Sequence, residues 1–201
     1  MNDDEPRDLR ARYKQITREA IGGAALRLAL EHGPGGLKLV RISDIASAAG
    51  VSPRTYNNYF SSREEAICAF QADQARRLGR ALRSRPAGEP LAQAVTAAVV
   101  DVFANPEPDR AGLAMIMSTP ALQGEALKAF TMAEEPLATA IAERTGSDPG
   151  DLSCHVMAAA IAAAVRVAGQ HWLSTTTPVS FAAVLRDALR HILPIQHPGA
   201  P

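Results

Sequence analysis

A chain of 201 residues with 21 Lys and Arg against 21 Asp and Glu carries no formal net charge, and 47% of it is hydrophobic against 21% charged. That apolar share can fill a core, which excludes disorder as a description of the whole chain. The longest uninterrupted apolar run, Val156 to Val165, stops at Arg166, short of the roughly 18–20 residues a bilayer crossing needs, so no membrane partner is expected. The polar, acidic start Met1-Asn2-Asp3-Asp4-Glu5 is unlike a secretory signal, and two distant cysteines, Cys68 and Cys154, offer no disulfide framework. The expected setting is the reducing cytoplasm.

Neutrality conceals an uneven distribution. Residues 9–60 hold eight Lys and Arg (Arg10, Arg12, Lys14, Arg18, Arg27, Lys38, Arg41, Arg54) against three acids, whereas residues 86–201 hold six against eleven. A basic front end joined to an acidic remainder suits a chain that meets a polyanion at one end; an uneven scatter of solvated charges is the alternative.

Ala, Leu, Arg and Glu dominate and alternating β-branched runs are absent, so an all-α chain of about nine helices is expected. A first helix starts near Leu9 and closes at His32-Gly33-Pro34-Gly35-Gly36. Ala49-Gly50-Val51-Ser52-Pro53 separates two short helices. Ser62-Arg63-Glu64-Glu65 has the form of a capping box and opens a long fourth helix running to Arg85-Pro86-Ala87-Gly88. Beyond it, Pro90, Pro108, Pro120, Pro149 and Pro178 mark helix starts, and Pro136 falls where it should kink or divide a helical run. The Gly/Pro-rich tail from Pro194 to Pro201 is expected to fray. Residues 1–61 are expected to form one domain, ordered from about residue 9, and residues 62–201 a second.

Residues 40–63 carry the chemistry. Ile42, Ile45, Ala46 and Ala49 make an apolar stripe on one short helix; Gly50 supplies a left-handed turn, Val51 plugs the inner corner, and Ser52 caps a second helix with Pro53 in its first turn. This is the grammar of a helix-turn-helix, whose second helix enters the major groove. On a helix from Pro53 to Phe60, Tyr56 and Phe60 belong inside, Arg54, Asn57 and Asn58 project outward, and Thr55 and Tyr59 lie along a flank. Arg forks onto guanine O6 and N7 and Asn onto adenine N6 and N7, while Thr, Tyr and Arg63 suit phosphate oxygens. The alternative is an ordinary helical hairpin with a wet polar surface.

The stretch from Ile16 to Phe70 resembles the DNA-binding domain of the TetR family of bacterial transcriptional regulators. The matching motifs are Thr17-Arg18-Glu19-Ala20-Ile21, Ala24-Ala25-Leu26-Arg27-Leu28, Glu31-His32-Gly33, Asp44-Ile45-Ala46, Gly50-Val51-Ser52, Thr55, Asn58-Tyr59-Phe60 and Ser62-Arg63-Glu64-Glu65-Ala66. The resemblance implies a homodimer on palindromic double-stranded DNA, with Pro53, Arg54 and Asn57 at base edges, Ser43 near them, and Thr55, Tyr59 and Arg63 on phosphates. Four positions depart from the family pattern. Arg41 stands where a capping Thr is usual; it cannot make that cap, and is either near the DNA backbone or solvated. Ser43 replaces a charged residue. Gly22 and Ala29 stand where larger apolar residues are usual, so the first helix should pack more loosely.

The resemblance also implies a helical second half with a small-molecule pocket and a dimer contact. The Ala-rich helix from Leu152 to Trp172, including Ala162 and Gly169, and the final helix with Phe181, Leu185 and Leu189 on one face are the candidate contact; an intramolecular core is the alternative. Phe103, Met115, Met117, Phe130, Met157 and Trp172 are candidate cavity residues, with ordinary packing as the other reading. Arg166 is either an anion-seeking pocket residue or half of an ion pair. No His/Cys/acid cluster has metal-ligand spacing, and no phosphate loop or catalytic motif is present, so neither cofactor, metal nor enzyme activity is expected. The functional expectation is a repressor released from its operator by a small molecule. A ligand-independent DNA-binding regulator or helical adaptor is the alternative.

Overall fold

The computed structural model of the chain describes residues 5–33 and 36–193. Pro34, Gly35 and the tail from Pro194 onward, where fraying was expected, lie outside them. Ten α-helices and no strand occur among the described residues: α1 (Glu5–Glu31), α2 (Ile42–Ala48), α3 (Pro53–Asn57), α4 (Arg63–Ile67), α5 (Ala69–Arg83), α6 (Leu91–Ala104), α7 (Arg110–Ser118), α8 (Pro120–Thr145), α9 (Leu152–Ser174) and α10 (Phe181–Arg190). They form two compact units, one of residues Met1–Gln71 with Met115–Ala126, the other of Ala72–Ala114 with Leu127–Pro201.

The count exceeds nine because the long fourth helix is two. Cys68 ends α4 and Ala69 begins α5. Neither Gly nor Pro marks this break. Cys68 is buried, and its thiol approaches the Leu122 carbonyl at 3.5 Å. Burial, with Glu125 and Glu64 nearby, pushes that thiol up to about 12, so it is an inert packing group.

In the first unit, Ile21 and Ala25 of α1, Ile45 of α2, Tyr56 of α3, Phe60 and Ile67 share one core with Ile116 and Leu122. The expected looseness of α1 is not found at Gly22. A Cβ there would stand 3.0 Å from the Ala69 Cβ and 3.2 Å from the Ala66 carbonyl oxygen. The missing side chain is used for close approach, and Ala29 is fully buried.

In the second unit, α10 packs on both α9 and α6. Ser180 caps α10 by accepting the Ala183 N–H at 3.2 Å, and Arg144 holds the chain before α6 by donating to the Pro86 and Glu89 carbonyls at 2.5 and 2.6 Å. Pro136 does not divide α8. Gly79 of α5 lies against it so closely that a Cβ would meet the Pro136 carbonyl oxygen at 2.8 Å. α9 is long and apolar enough to cross a membrane by length and composition, which the uninterrupted-run criterion missed. Its Cys154, Ala158, Ile161, Val165, Ala168 and Trp172 are buried, as on the core helix of a globular unit.

Candidate nucleic-acid interface

The turn between α2 and α3 is fixed by its own backbone. Gly50, at φ +69°, donates to the Ser47 carbonyl at 3.1 Å, and Val51 donates to Ala46 at 2.9 Å. These two bonds close α2 as a Schellman turn, for which glycine bears no Cβ penalty. Ser52 Oγ then accepts the Thr55 N–H at 3.0 Å and shares a 2.9 Å hydrogen bond with Thr55 Oγ1, and Pro53 fills the first position of α3. α2 starts without such a device, since the Arg41 side chain makes no capping hydrogen bond.

α3 ends at Asn57 rather than Phe60, and the chain continues as a turn in which Tyr59 and Phe60 N–H groups both donate to the Tyr56 carbonyl. Tyr56 and Phe60 face inward as expected, with ring centroids 5.8 Å apart. The Tyr56 hydroxyl donates to the Ser62 carbonyl at 2.9 Å. Its ionisation is pushed up to about 12 by burial first and then by Glu65 and Glu64.

Pro53, Arg54, Asn57 and Asn58 are exposed together on the opposite side, with Ser43 and Arg41 exposed on and before α2. Among the described residues no carboxylate or carbonyl holds the Arg54 guanidinium, so it is free for an external acceptor. Ser43 Oγ donates to Asp44 at 3.3 Å. Thr55 and Tyr59 are half-buried along the flank.

Arg63 is engaged within its own unit. Its Nε pairs with Glu64 at 2.9 Å, and one terminal nitrogen donates to the Val40 carbonyl at 3.0 Å and the Lys38 carbonyl at 3.4 Å. It ties the start of α4 to the segment before α2. The capping box is also altered: Ser62 accepts the Glu65 N–H, but Glu65 reaches back to the N–H and hydroxyl of Ser61, both at 2.8 Å.

Sequence reasoning missed Arg18. Its guanidinium lies 4.4 Å from the centroid of the Phe60 ring and donates to the Tyr59 carbonyl at 3.2 Å, which bolts α1 to the end of the turn after α3. The available signal was its place one turn before the buried stripe Ile21, Ala25 and Ala29.

The candidates in the second half separate. Phe103 and Phe130 stack at 6.0 Å and line an internal chamber of the second unit with Leu137, Ala162 and Val165. Met115 packs against the core of the first unit, and Met117 belongs to that unit too. Met157 is half-buried on α9, outside the chamber lining, and Arg166 is exposed and reaches Gln170 at 3.4 Å. Trp172 is a structural corner: Nε1 donates to the Val179 carbonyl at 2.9 Å, Arg110 lies 4.8 Å over its ring, and Phe181 tilts against it. Gly169, Phe181, Leu185 and Leu189 are buried within one copy of the chain. These four form the intramolecular core, and the face of α9 left exposed carries Leu152, Val156, Ala159, Ala163 and Val167 instead.

A helix-turn-helix presenting unpaired Arg and Asn side chains, followed by a helical unit with an internal apolar chamber, defines a class of DNA-binding regulator. Comparisons agree. A family model for TetR C-terminal domains, described as the MftR C-terminal domain, matches residues 89–195. The HTH-type transcriptional regulator TcmR of Streptomyces glaucescens is 31% identical over 176 residues, covering 82% of this chain and 76% of its own. The chain therefore belongs to the TetR family of transcriptional regulators. Its fold is that of a Thermus thermophilus FadR structure, a TetR-family transcriptional repressor solved with lauroyl-CoA (TM-score 0.56, 22% identity, 92% of this chain and 97% of that one). A structure from Rhodococcus sp., described as a TetR-family transcriptional regulator, is alike to the same degree (TM-score 0.57, 23% identity, 89% and 97%).

Proposed function

We propose that the chain is a homodimeric repressor that holds a palindromic operator through α3 and leaves it when a small molecule binds the second unit. The observation that carries the DNA half is the exposed set Pro53, Arg54 and Asn57, mounted on a helix whose start is fixed by the Gly50 turn and the Ser52 cap. Arg54 and Asn57, with Pro53 beside them and Ser43 at the edge, read base edges; Thr55, Tyr59 and Arg41 lie along the phosphates. Arg63 acts as a positioning residue, because its Nε and one of its terminal nitrogens already have acceptors within the unit.

The chain passes between the two units three times, inside α5, α7 and α8. Ligand-driven change in the second unit therefore has covalent routes to the first. Half-sites on a palindrome repeat about one DNA turn apart, near 34–36 Å, so a change of a few ångströms in the separation of two α3 helices defeats simultaneous docking. The recess under Phe103 and Phe130 has room for about one water, at ≈ 10 Å³, whereas a cleft of ≈ 690 Å³ between α6 and α10 of the same unit has room for a small molecule.

Selection of bound duplexes from a random pool tests the proposal. It should return two inverted half-sites with a fixed spacing, each carrying a preferred guanine or adenine step. A single, unrepeated site would contradict the dimeric reading.

A further inference from the structure

α1 runs unbroken from Glu5 to Glu31, yet the core of its unit begins only at Ile21. Among the described side chains of residues 9–20 none is buried, so about three turns of helix extend past the packed part. A helix that packs on nothing has only its own propensity to hold it in water, so such an arm gains from a partner outside the unit. Its sides differ. Lys14 and Arg10 stand at steps of four before Arg18, and Arg18 stands three before Ile21. The stripe that carries Ile21 and Ala25 into the core therefore continues outward as three cations. Leu9, Tyr13 and Ile16 are exposed on another side, and Arg12, two residues from both Arg10 and Lys14, lies opposite the cationic line. Arg18 fixes where that line leads. It lies over the Phe60 ring and donates to the Tyr59 carbonyl, at the end of the turn that follows α3. Lys14 and Arg10 follow about 6 and 12 Å further along the axis. Both are exposed, and among the described residues no acid or carbonyl meets either.

We propose that Arg10 and Lys14 form a second DNA-contact site, which grips phosphates of the duplex just outside each half-site. This rests on the reading of α3 as the base-reading helix. Both side chains end in donors only, which suits phosphate oxygens and carries no base information. Phosphates of one strand recur about every 3.4 Å of duplex axis, so cations about 6 Å apart can each take a different one. An anionic lipid surface is the competing partner, because a helix with an apolar stripe and flanking cations also lies on membranes. DNA is favoured by placement. The cationic line is the one that Arg18 docks beside the end of α3, and it runs on a different side of α1 from Leu9, Tyr13 and Ile16.

Affinity of the full chain, measured over a range of salt concentrations, tests the site on two duplex lengths. One duplex is cut at the half-sites, and the other carries about five further base pairs at each end, roughly 17 Å. Wild type should bind the longer duplex at least about fivefold more tightly and with a steeper salt slope. Arg10→Gln combined with Lys14→Gln keeps good helix formers in α1 and should flatten the slope on the longer duplex by about two per protomer. It should also abolish the preference for length and weaken operator and scrambled sequence alike. Arg12→Gln, which deletes one charge from the other side of the same helix, should leave the slope within about 0.5 of wild type. An unchanged slope in the double variant, an equal loss per charge in Arg12→Gln, or no gain from the longer duplex would overturn the proposal. So would retention on phosphatidylglycerol vesicles that needs Arg10 and Lys14 while the salt slope on DNA does not. Failure of base reading looks different: wild type would bind operator no better than scrambled duplex, with the slope and length effects of the arm intact on both.

Discussion

At Arg63 the guanidinium has three acceptors of its own, Glu64 Oε1 and the carbonyls of Val40 and Lys38. Sequence pattern alone offers it to a phosphate, because spacing shows that a side chain is polar but not that three of its five N–H donors are already engaged. Arg63→Ala should therefore cost stability, about 1–3 kcal/mol, and leave the salt dependence of operator binding unchanged. A salt slope flattened by about one per protomer would return Arg63 to the phosphates. Tyr56 and Cys68 make a second statement at this scale. Both are acids whose folded pKa is raised to about 12, from 10.0 and 9.0 respectively. The stability they contribute is fully present below about 9, then declines as pH rises toward 12, because the unfolded chain loses those protons first. Denaturant titrations across pH 8–12 should show a plateau followed by that fall. Tyr56→Phe should remove the part starting near 10 and cost about 1 kcal/mol at neutral pH through the lost bond to Ser62.

Elements with local signals were legible. The Gly50 turn, the Ser52 cap and the inward pair Tyr56 and Phe60 are written in consecutive residues, and each stands as the spacing predicts. The break at Cys68 was not legible, because it depends on tertiary neighbours, the Leu122 carbonyl and the approach of Ala69 to Gly22. α9 resisted for a different reason. Small and apolar residues occupy most of its circumference, so periodicity could not say which face turns inward, and Gly169 was offered to a partner when it is buried at home. Gly22, expected to loosen α1, is a point of close approach, and Gly79, for which the sequence offers no signal, is another. Gly79→Ala should show this: the added Cβ meets the Pro136 backbone oxygen at 2.8 Å, and the resulting shift should cost about 1–3 kcal/mol. Thermal unfolding of this variant at or above the wild-type temperature would mean that α5 moves away freely.

At the scale of the whole molecule, the proposed docking on two inverted half-sites needs a pair of identical reading heads, and so two chains. The exposed side of α9 offers Val156 at 59% and Val167 at 49% exposure, with Ala159 and Ala163 between them. Such a face, small in the middle and apolar at its ends, suits an isologous helix contact. Val167→Arg should yield a helical monomer in sedimentation velocity, with operator affinity reduced by about two orders of magnitude as the linked second half-site is lost. An intact dimer for this variant would move the contact to another surface.

Base reading by α3 is the claim on which the rest depends, and Arg54→Ala titrated against operator and scrambled duplex at two salt concentrations tests it most directly. Arg54 is exposed, and no acid holds it among the described residues, so its loss should leave folding stability within about 0.5 kcal/mol of wild type. The variant should bind operator more weakly by about 1–3 kcal/mol, relax preference at one base pair in each half-site, and bind scrambled DNA almost as well as wild type. Equal losses on the two duplexes, with base preference intact, would contradict the account.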